Sequence, residues 1–303
     1  MKLLCMRTTL AAIAIAAGST VLAAQPSART ARSAPGAVVE AVQMPAWVER
    51  DGARIPASAG MVLKEHDRLR TGADSRLLLR TADGSGVKLG EKASLLLESM
   101  PAPKDNVFQA AMKVSEGAFR FTTELLARYS GKREINISIG TVTAGIRGTD
   151  LWGKSEPERQ IVCLIEGKID VTPPGESAIS MDDRLSFYVR DKGISQPVAP
   201  VPLDQLKQWS EETEMQPGQG VSMRGGKWKV TAASVESLDA ALGLSSNLRD
   251  AGFAAEIYPA KVKDKRVYSV RLSGFASKQD AESVATALKR EGRLGENDPK
   301  VGR

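Results

Sequence analysis

The sequence predicts an α+β protein that has an all-β N-terminal domain, a Pro/Gly-rich linker and a C-terminal βαββαβ domain. Short stretches of alternating apolar residues, separated by Gly or Asp-Gly turns, fill the first half of the chain. Prolines and glycines then interrupt any regular pattern over residues 191–226. In the last quarter, one strand-helix pattern occurs twice at a spacing of 40 residues.

The predicted β domain spans residues 38–190. Residues 136–139 and 168–171 alternate with a period of two, which is typical of half-buried strands. Residues 47–55 resemble a hairpin on an Asp51-Gly52 turn. Turn signals recur about every ten residues, which indicates a β-sandwich or barrel-like domain. A short helix is predicted at 124–129.

The segment 191–226 is predicted to be a linker that contains one short helix. Its prolines break regular structure. Leu203, Leu206 and Trp209 have the spacing of a short amphipathic helix. Trp209 would either cover the edge of the β domain or contact a partner.

The C-terminal domain, residues 227–303, is built on the repeat. The matched pairs are Trp228 and Tyr268, Val230 and Val270, Ser237 and Ser277, Ala241 and Ala281, Leu248 and Leu288, and Gly252 and Gly292. We expect strands at 228–233, 253–258 and 266–273, helices at 236–251 and 278–291, and a weak last strand near 293–302. Leu238, Leu242, Ser245 and Leu248 should share the buried face of the first helix.

Both helices should cover one face of an antiparallel sheet and leave the other face open. Because side chains alternate along a strand, five polar or aromatic residues should lie on the open face. They are Lys229, Thr231, Tyr258, Ser269 and Arg271. Hydrogen-bond donors around an aromatic ring suit a sugar polymer or a nucleic acid. A solvated sheet face without a ligand is the alternative.

The first 23 residues have the pattern of a Sec-type export signal. Lys2 and Arg7 precede an apolar run at 10–17, and small residues follow up to Ala23, where cleavage is expected. Cleavage would lower the formal charge from +6 by the two basic residues, to +4. The alternative is an uncleaved anchor. Residues 24–37 are predicted to be disordered, and no stable membrane span is expected.

An enzyme is not expected, and neither a cofactor nor a metal site is predicted. His66 is the only histidine, and Cys163 is the only cysteine after the export segment. A nucleophilic Cys-His pair would need the two side chains within hydrogen-bonding distance, with a third group that orients the histidine. Cys163 lies between apolar neighbours, where burial is usual. A single cysteine without a disulfide partner fits a Gram-negative periplasm.

Two further motifs have a structural and a functional interpretation. The Arg-Gly-Thr-Asp run at 147–150 is a turn fixed by its polar ends or a binding loop. Lys261, Lys263, Lys265 and Arg266, with Asp264 between them, form a basic turn. This turn is a solvated hairpin or a clamp on an anionic wall polymer.

Residues 227–300 resemble a SPOR domain. The segment 228–235 is similar to the family's first strand, and the segment 268–275 is similar to its counterpart in the second half. The resemblance implies an RNP-like fold and binding of peptidoglycan glycan strands stripped of stem peptides, at the open sheet face. Thr231 stands where the family commonly has Gln, and Val235 where it has Phe. The shorter Thr side chain should alter the affinity for glycan.

Residues 38–172 resemble a FecR domain. The similar segments are 60–72, 82–85 with Leu89, 146–150 and 164–171. The family name comes from iron-transport regulators, which signal across the inner membrane to a sigma factor.

Our main hypothesis is a periplasmic, non-catalytic protein that binds septal glycan strands and offers the FecR-like domain to another envelope protein. The alternative is a signal relay with a membrane partner. A third candidate is nucleic-acid binding, since the βαββαβ sheet also resembles RNA-recognition modules. Nucleic acid is not an expected partner, because the open face lacks the paired aromatics that stack bases.

Overall fold

The computed structural model describes residues 36–101, 105–123, 131–146 and 148–303. The predicted export signal, the predicted helix at 124–129 and all of the segment 24–37 except its last two residues lie outside this part. Ala37 already belongs to the first strand.

The described residues up to 191 form the β strands of the N-terminal half. Those strands are β1 (Ala37–Gln43), β2 (Ala46–Arg50), β3 (Ala53–Pro56), β4 (Val62–Leu63), β5 (Arg68–Thr71), β6 (Arg76–Thr81), β7 (Gly86–Leu89), β8 (Ser94–Ser99), β9 (Val107–Thr122), β10 (Lys132–Ile139), β11 (Val142–Ile146), β12 (Asp150–Ser155), β13 (Arg159–Glu166), β14 (Ile169–Thr172), β15 (Ile179–Met181) and β16 (Ser186–Asp191). The hairpin predicted on Asp51-Gly52 is β2–β3, and both turn residues have positive φ.

These strands form two sheets that share β9. One sheet has the order β1–β6–β7–β9–β12–β13–β16 and is antiparallel. The other has the order β3–β2–β5–β8–β9–β10–β11–β14–β15, in which only β9 and β10 are parallel. Strand β9 changes sheets at Gly117, where φ is +81° and a Cβ would stand 2.6 Å from Ala93 Cα. Only glycine fits this crossing.

Two buried aspartates hold loops of the β domain. Asp67 accepts two hydrogen bonds from Arg50, at 2.7 and 2.6 Å. Asp83 accepts from Arg133 at 2.7 Å and from Ser85 Oγ at 2.6 Å. Both carboxylates lie in segments that carry the FecR resemblance, so these parts of the motif stabilise the fold.

Residues 192–226 contain β17 (Ile194–Ser195), β18 (Ala199–Pro200), helix α1 (Leu203–Thr213) and β19 (Val221–Met223). Helix α1 packs on the outer side of the first sheet, where Trp209 stacks on Trp152 with ring centroids 4.7 Å apart. Cys163 is buried in the same small cluster. Trp209 therefore covers the β domain, and the segment is ordered over much of its length.

The C-terminal half follows the predicted element order. Its elements are β20 (Trp228–Val235), α2 (Leu238–Asp250), β21 (Glu256–Val262), β22 (Lys265–Phe275), α3 (Lys278–Arg290) and β23 (Lys300–Gly302). The sheet order is β21–β22–β20–β23, antiparallel throughout. Strand β21 begins later and extends further than predicted, and β23 is shorter.

The predicted buried face of α2 was wrong for two residues. Leu238 and Leu242 are 45% and 51% exposed, whereas Ala241, Ser245 and Leu248 are buried. Both sets have helical spacing, so periodicity within α2 does not separate them.

The two halves contact each other through backbone and buried side chains. Ser222 of β19 is paired with Val42 of β1 and with Phe275 of β22. The backbone N–H of Ala46 donates to the carbonyl of Gly252 at 3.2 Å. Strand β19 therefore joins the N-terminal sheet to the C-terminal sheet.

Candidate functional site

The open face of the C-terminal sheet is the side opposite α2 and α3, and strand register sets its rows. Lys229 lies opposite Ser273. One row further along, Thr231 stands between Arg271 and Lys300. These five side chains, of Lys229, Ser273, Thr231, Arg271 and Lys300, occupy outward positions of an alternating strand pattern.

The row continues onto β21 at Glu256, which pairs with Arg271. Tyr258 pairs with Ser269 and is 36% exposed. The guanidinium carbon of Arg271 lies 5.0 Å from the Tyr258 ring centroid, within the range of a cation–π contact. The Tyr258 hydroxyl donates to Glu256 Oε2 at 2.5 Å. This hydrogen bond raises the pKa of Tyr258.

Arg271 is half-buried. Its Nε is buried and has no hydrogen-bond partner among the described residues. Lys229 Nζ donates to the backbone oxygen of Arg303. Together with Lys300, these side chains make this part of the face positively charged, with Glu256 as the acid beside them. Such a group of donors suits a ligand rich in hydroxyl, carbonyl or carboxylate oxygens.

Ser269 occupies the same face but is less available than the other predicted residues. It is 6% exposed, and its hydroxyl lies 3.0 Å from the hydroxyl of Ser234 on β20. The structure therefore brings Lys229, Thr231, Tyr258 and Arg271 together on an accessible surface, with Ser269 packed beneath them.

Sequence reasoning missed Ser273 and Lys300. Ser273 continues the alternation of Ser269 and Arg271, so the period-two rule would have found it. Lys300 lies on a three-residue strand whose register is set only by its pairing with β20. Nothing local in the sequence identifies its face.

The N-terminal half and residues 218–221 contact the helical layer of the C-terminal half. Trp47 Nε1 donates to the carbonyl of Asp250 at the end of α2, at 3.3 Å. The backbone N–H groups of Gly218, Gly220 and Val221 donate to Asp280 Oδ1 in the first turn of α3, at 2.7, 3.2 and 3.0 Å. Because both contacts are to the helical layer, they leave the open face exposed to a ligand.

The Arg-Gly-Thr-Asp run is tied into the fold at the positions that the structure describes; Arg147 lies outside them. Thr149 Oγ1 donates to the carbonyl of Lys168 at 3.1 Å. Asp150 accepts from Arg120 Nη2 at 2.7 Å and Nε at 3.0 Å. That pair raises the pKa of Arg120, chiefly through the hydrogen bond to Asp150.

Cys163 and His66 offer no reactive pair. The Cys163 thiol is fully buried, and burial, with a smaller effect of Asp150, raises its pKa to about 12. His66 is an exposed loop residue with φ of +66°. Within the described ranges, no group of three or more His, Cys, Asp or Glu side chains is placed to hold a metal ion. No described helix is long and apolar enough to span a membrane.

Comparison with protein families identifies two domains in the chain. Residues 67–170 match the model described as FecR protein, and residues 225–296 match the model described as SPOR domain. Neither family is catalytic, and both are typical of periplasmic envelope proteins. The SPOR domain suggests peptidoglycan binding, and the FecR domain fits a signalling role.

Comparison with curated proteins gives no match. Two solved structures of a proposed anti-sigma factor from Parabacteroides distasonis show distant similarity. One is 13% identical with a TM-score of 0.38 and covers 66% of this chain and 97% of its own. The other is 15% identical with a TM-score of 0.38 and covers 74% and 90%.

Proposed function

We propose that this chain, which contains a FecR domain and a SPOR domain, is a non-catalytic periplasmic protein that binds peptidoglycan glycan strands at the open face. The export segment would be removed near Ala23. Binding to strands stripped of stem peptides would enrich the protein at the division septum. The FecR domain would serve as the interaction module for another envelope protein.

One observation carries the proposal. Arg271 is positioned over the Tyr258 ring on an exposed surface, with its guanidinium carbon 5.0 Å from the ring centroid. A sheet face that served only solubility would not need a guanidinium held over an aromatic ring. A pyranose ring could pack its C–H face on Tyr258 while its oxygens accept from Arg271.

The charge of the face suggests why stripped strands would be preferred. Removal of a stem peptide by an amidase leaves a carboxylate on the lactyl group of the sugar. Lys229, Arg271 and Lys300 lie in neighbouring rows and would donate charge-assisted hydrogen bonds to such carboxylates. Thr231 lies between them and would add one hydroxyl.

The test is co-sedimentation of residues 24–303 with purified sacculi, with and without amidase treatment. The Tyr258→Ala, Arg271→Ala double variant should bind stripped sacculi at least tenfold more weakly. The reason is that hydrogen bonds to charged groups contribute about 1.5–3 kcal/mol each. The control is Leu242→Ala, Arg290→Ala, which removes an exposed apolar residue and an arginine from the helical layer.

If the control variant still binds stripped sacculi and the double variant does not, the open face is the binding site. Equal binding of the double variant and the unchanged protein to stripped sacculi rejects it. Localisation is tested separately with a fluorescent fusion of the exported chain, for which a midcell band is expected. A diffuse periplasmic signal with intact sacculus binding would reject only the septal part of the proposal.

The FecR domain favours a second candidate, an envelope signal relay with a membrane partner. Strand β19 would then matter, because it joins β1 of the FecR-containing half to β22 of the SPOR-containing half. Crosslinking in cells from an exposed β-domain position such as Lys113 tests this candidate. Capture of an inner-membrane regulator supports the relay, and capture of wall material alone argues against it.

A further inference from the structure

The end of the β21–β22 hairpin extends beyond the body of the C-terminal domain. We call residues 259–267 the arm. Side chains from Pro259 to Arg266 are exposed, while Val270 and Leu272, further along β22, are fully buried. Pro259 pairs with Tyr268 at the base of the arm, and three pairs follow within it, from Ala260 with Val267 to Val262 with Lys265. Neither helix covers its tip.

The arm concentrates positive charge. It carries Lys261, Lys263, Lys265 and Arg266 against Asp264 as its only acid. Lys261 pairs with Asp264 at 2.7 Å, and Lys265 pairs with Glu236 at 3.0 Å. Lys263 and Arg266 make no ion pair among the described residues. Two cations of the arm are therefore available to an anionic partner.

The arrangement of these cations is costly for a hairpin on its own. Lys261 and Arg266 are directly opposite in register, and like charges at that position destabilise a strand pair. Lys263 has a left-handed φ of +46°, a conformation that favours Asn or Gly in a two-residue turn. A partner with negative charge would remove the repulsion.

An apolar side chain lies among the cations. Val262, next to the turn, is 53% exposed, and Ala260 and Pro259 behind it are exposed as well. A wall polymer would engage the charges, but its hydroxyl-rich sugars offer Val262 little apolar surface. A bilayer surface offers both, because anionic headgroups attract lysines while the acyl boundary receives a small apolar tip.

We propose that the arm docks on the surface of an anionic phospholipid bilayer. The tip of the arm at Lys263 is about eight residues from Arg271, which corresponds to about 25 Å in an extended strand. Tyr258, the open-face residue next to the arm, is five residues along the chain from Lys263, so the tip can be bound while the open face stays free. The protein could therefore contact a membrane and a second ligand at the same time.

The experiment measures binding of residues 24–303 to vesicles, because the predicted export segment would itself bind lipid. Vesicles contain either phosphatidylcholine alone or equal parts phosphatidylcholine and phosphatidylglycerol. We expect binding only to the anionic vesicles, with affinity that falls as salt increases. The Lys263→Gln, Arg266→Gln variant should bind about 25-fold more weakly, at about fivefold for each cation removed.

The matched control is Lys113→Gln, Lys207→Gln, which makes the same change in net charge at exposed positions of β9 and α1. It should bind within about threefold of the unchanged protein, since charges beyond a Debye length from the surface are screened. Val262→Thr, which keeps the β-branched shape, should weaken binding about fivefold by removing the apolar contact. Unchanged thermal unfolding of each variant verifies the fold.

Three results would overturn the proposal. The first is no binding to anionic vesicles above the neutral background. The second is an equal loss of vesicle binding in the arm variant and the control, which would show that only the net charge of the protein matters. The third is an arm variant that loses sacculus binding but keeps vesicle binding, which would assign the arm to a wall polymer. Loss of sacculus binding in the Tyr258→Ala, Arg271→Ala variant has no bearing on the arm.

Discussion

The indole ring of Trp47 occupies the space that a side chain at Gly252 would need. A Cβ at Gly252 would stand 2.6 Å from Trp47 Cε2, a distance that real Cβ contacts do not reach. Gly252 ends α2 with φ of +87°, and Trp47 lies in β2 of the other half. One glycine therefore ends a helix and also allows the two halves of the chain to contact each other.

The first prediction concerns this contact. Gly252→Ala should lower the free energy of unfolding by about 2–4 kcal/mol, because strain from overpacking adds to the cost of a left-handed alanine. The control is Gly292→Ala at the repeat-related position, where φ is +67° but nothing lies within 4 Å of the added Cβ. It should cost only about 1 kcal/mol. Equal costs in urea unfolding would contradict the contact with Trp47.

The second prediction concerns Asp280, which is 1% exposed. Its Oδ1 accepts hydrogen bonds from the backbone N–H groups of Gly218, Gly220 and Val221, and its Oδ2 accepts from Ser277 Oγ at 2.6 Å. Asp280→Asn keeps the shape but weakens these charge-assisted bonds, so it should destabilise the protein by about 2–3 kcal/mol.

Hydrogen exchange of the Gly218, Gly220 and Val221 amides measures the effect locally, and these amides should exchange faster in Asp280→Asn. Asp239→Asn, an exposed acid in the first turn of α2, is the control and should leave the same amides unchanged. Slow exchange in both variants would show that Asp280 does not hold this segment.

The third prediction uses the thiol of Cys163. Because its pKa is about 12 in the folded protein and about 9 when unfolded, the thiol stays protonated on folding while the unfolded chain ionises above pH 9. Its contribution to stability is therefore complete below about pH 9 and is lost as the pH rises towards 12. The loss is about 1.4 kcal/mol for each pH unit.

The unchanged protein should therefore lose stability between about pH 8 and about pH 10. In Cys163→Ala, the difference between the unfolding free energies at these two pH values should be smaller by about 1 kcal/mol. Alkylation gives a second measurement. The native thiol should resist iodoacetamide until helix α1, whose Trp209 packs in the cluster around Cys163, opens. Rapid alkylation of the native protein would contradict the buried position.

The fourth prediction concerns Thr231, between Arg271 and Lys300 on the open face. If this face binds glycan, Thr231→Gln should increase the affinity for stripped sacculi about threefold to tenfold, because an amide reaches further and adds a donor and an acceptor. Thr231→Val keeps the shape without the hydroxyl and should weaken binding. Equal affinity of all three proteins would exclude this position from the site.

The repeat contains more structural information than the periodicity of one helix. Shifted by forty residues, the exposed Leu238 and Leu242 correspond to Lys278 and Glu282, which form an ion pair on the surface of α3. The buried Ala241 corresponds to the buried Ala281. Comparison of the two copies would therefore have corrected the predicted face of α2, which spacing within one helix left ambiguous.

The sequence by itself determined the features that depend on local geometry. Alternation along β20, β21 and β22 placed Lys229, Thr231, Tyr258 and Arg271 on one face, because successive side chains of a strand point to opposite sides. The repeat predicted α2 and α3 to within two residues at each end. Alternation extends over only a few residues, and the repeat compares two copies of one local pattern.

Only the tertiary structure decided features that depend on partners distant in sequence. Pairing with β20 placed Lys300 beside Thr231. The hydroxyl of Ser234 forms a hydrogen bond with the hydroxyl of Ser269. Strand β19 joined the two sheets in a segment whose prolines and glycines predict a linker. Amino-acid composition indicates the conformational freedom of a segment in isolation. In the folded protein, hydrogen bonds to β1 and to Asp280 hold the segment around β19 in place.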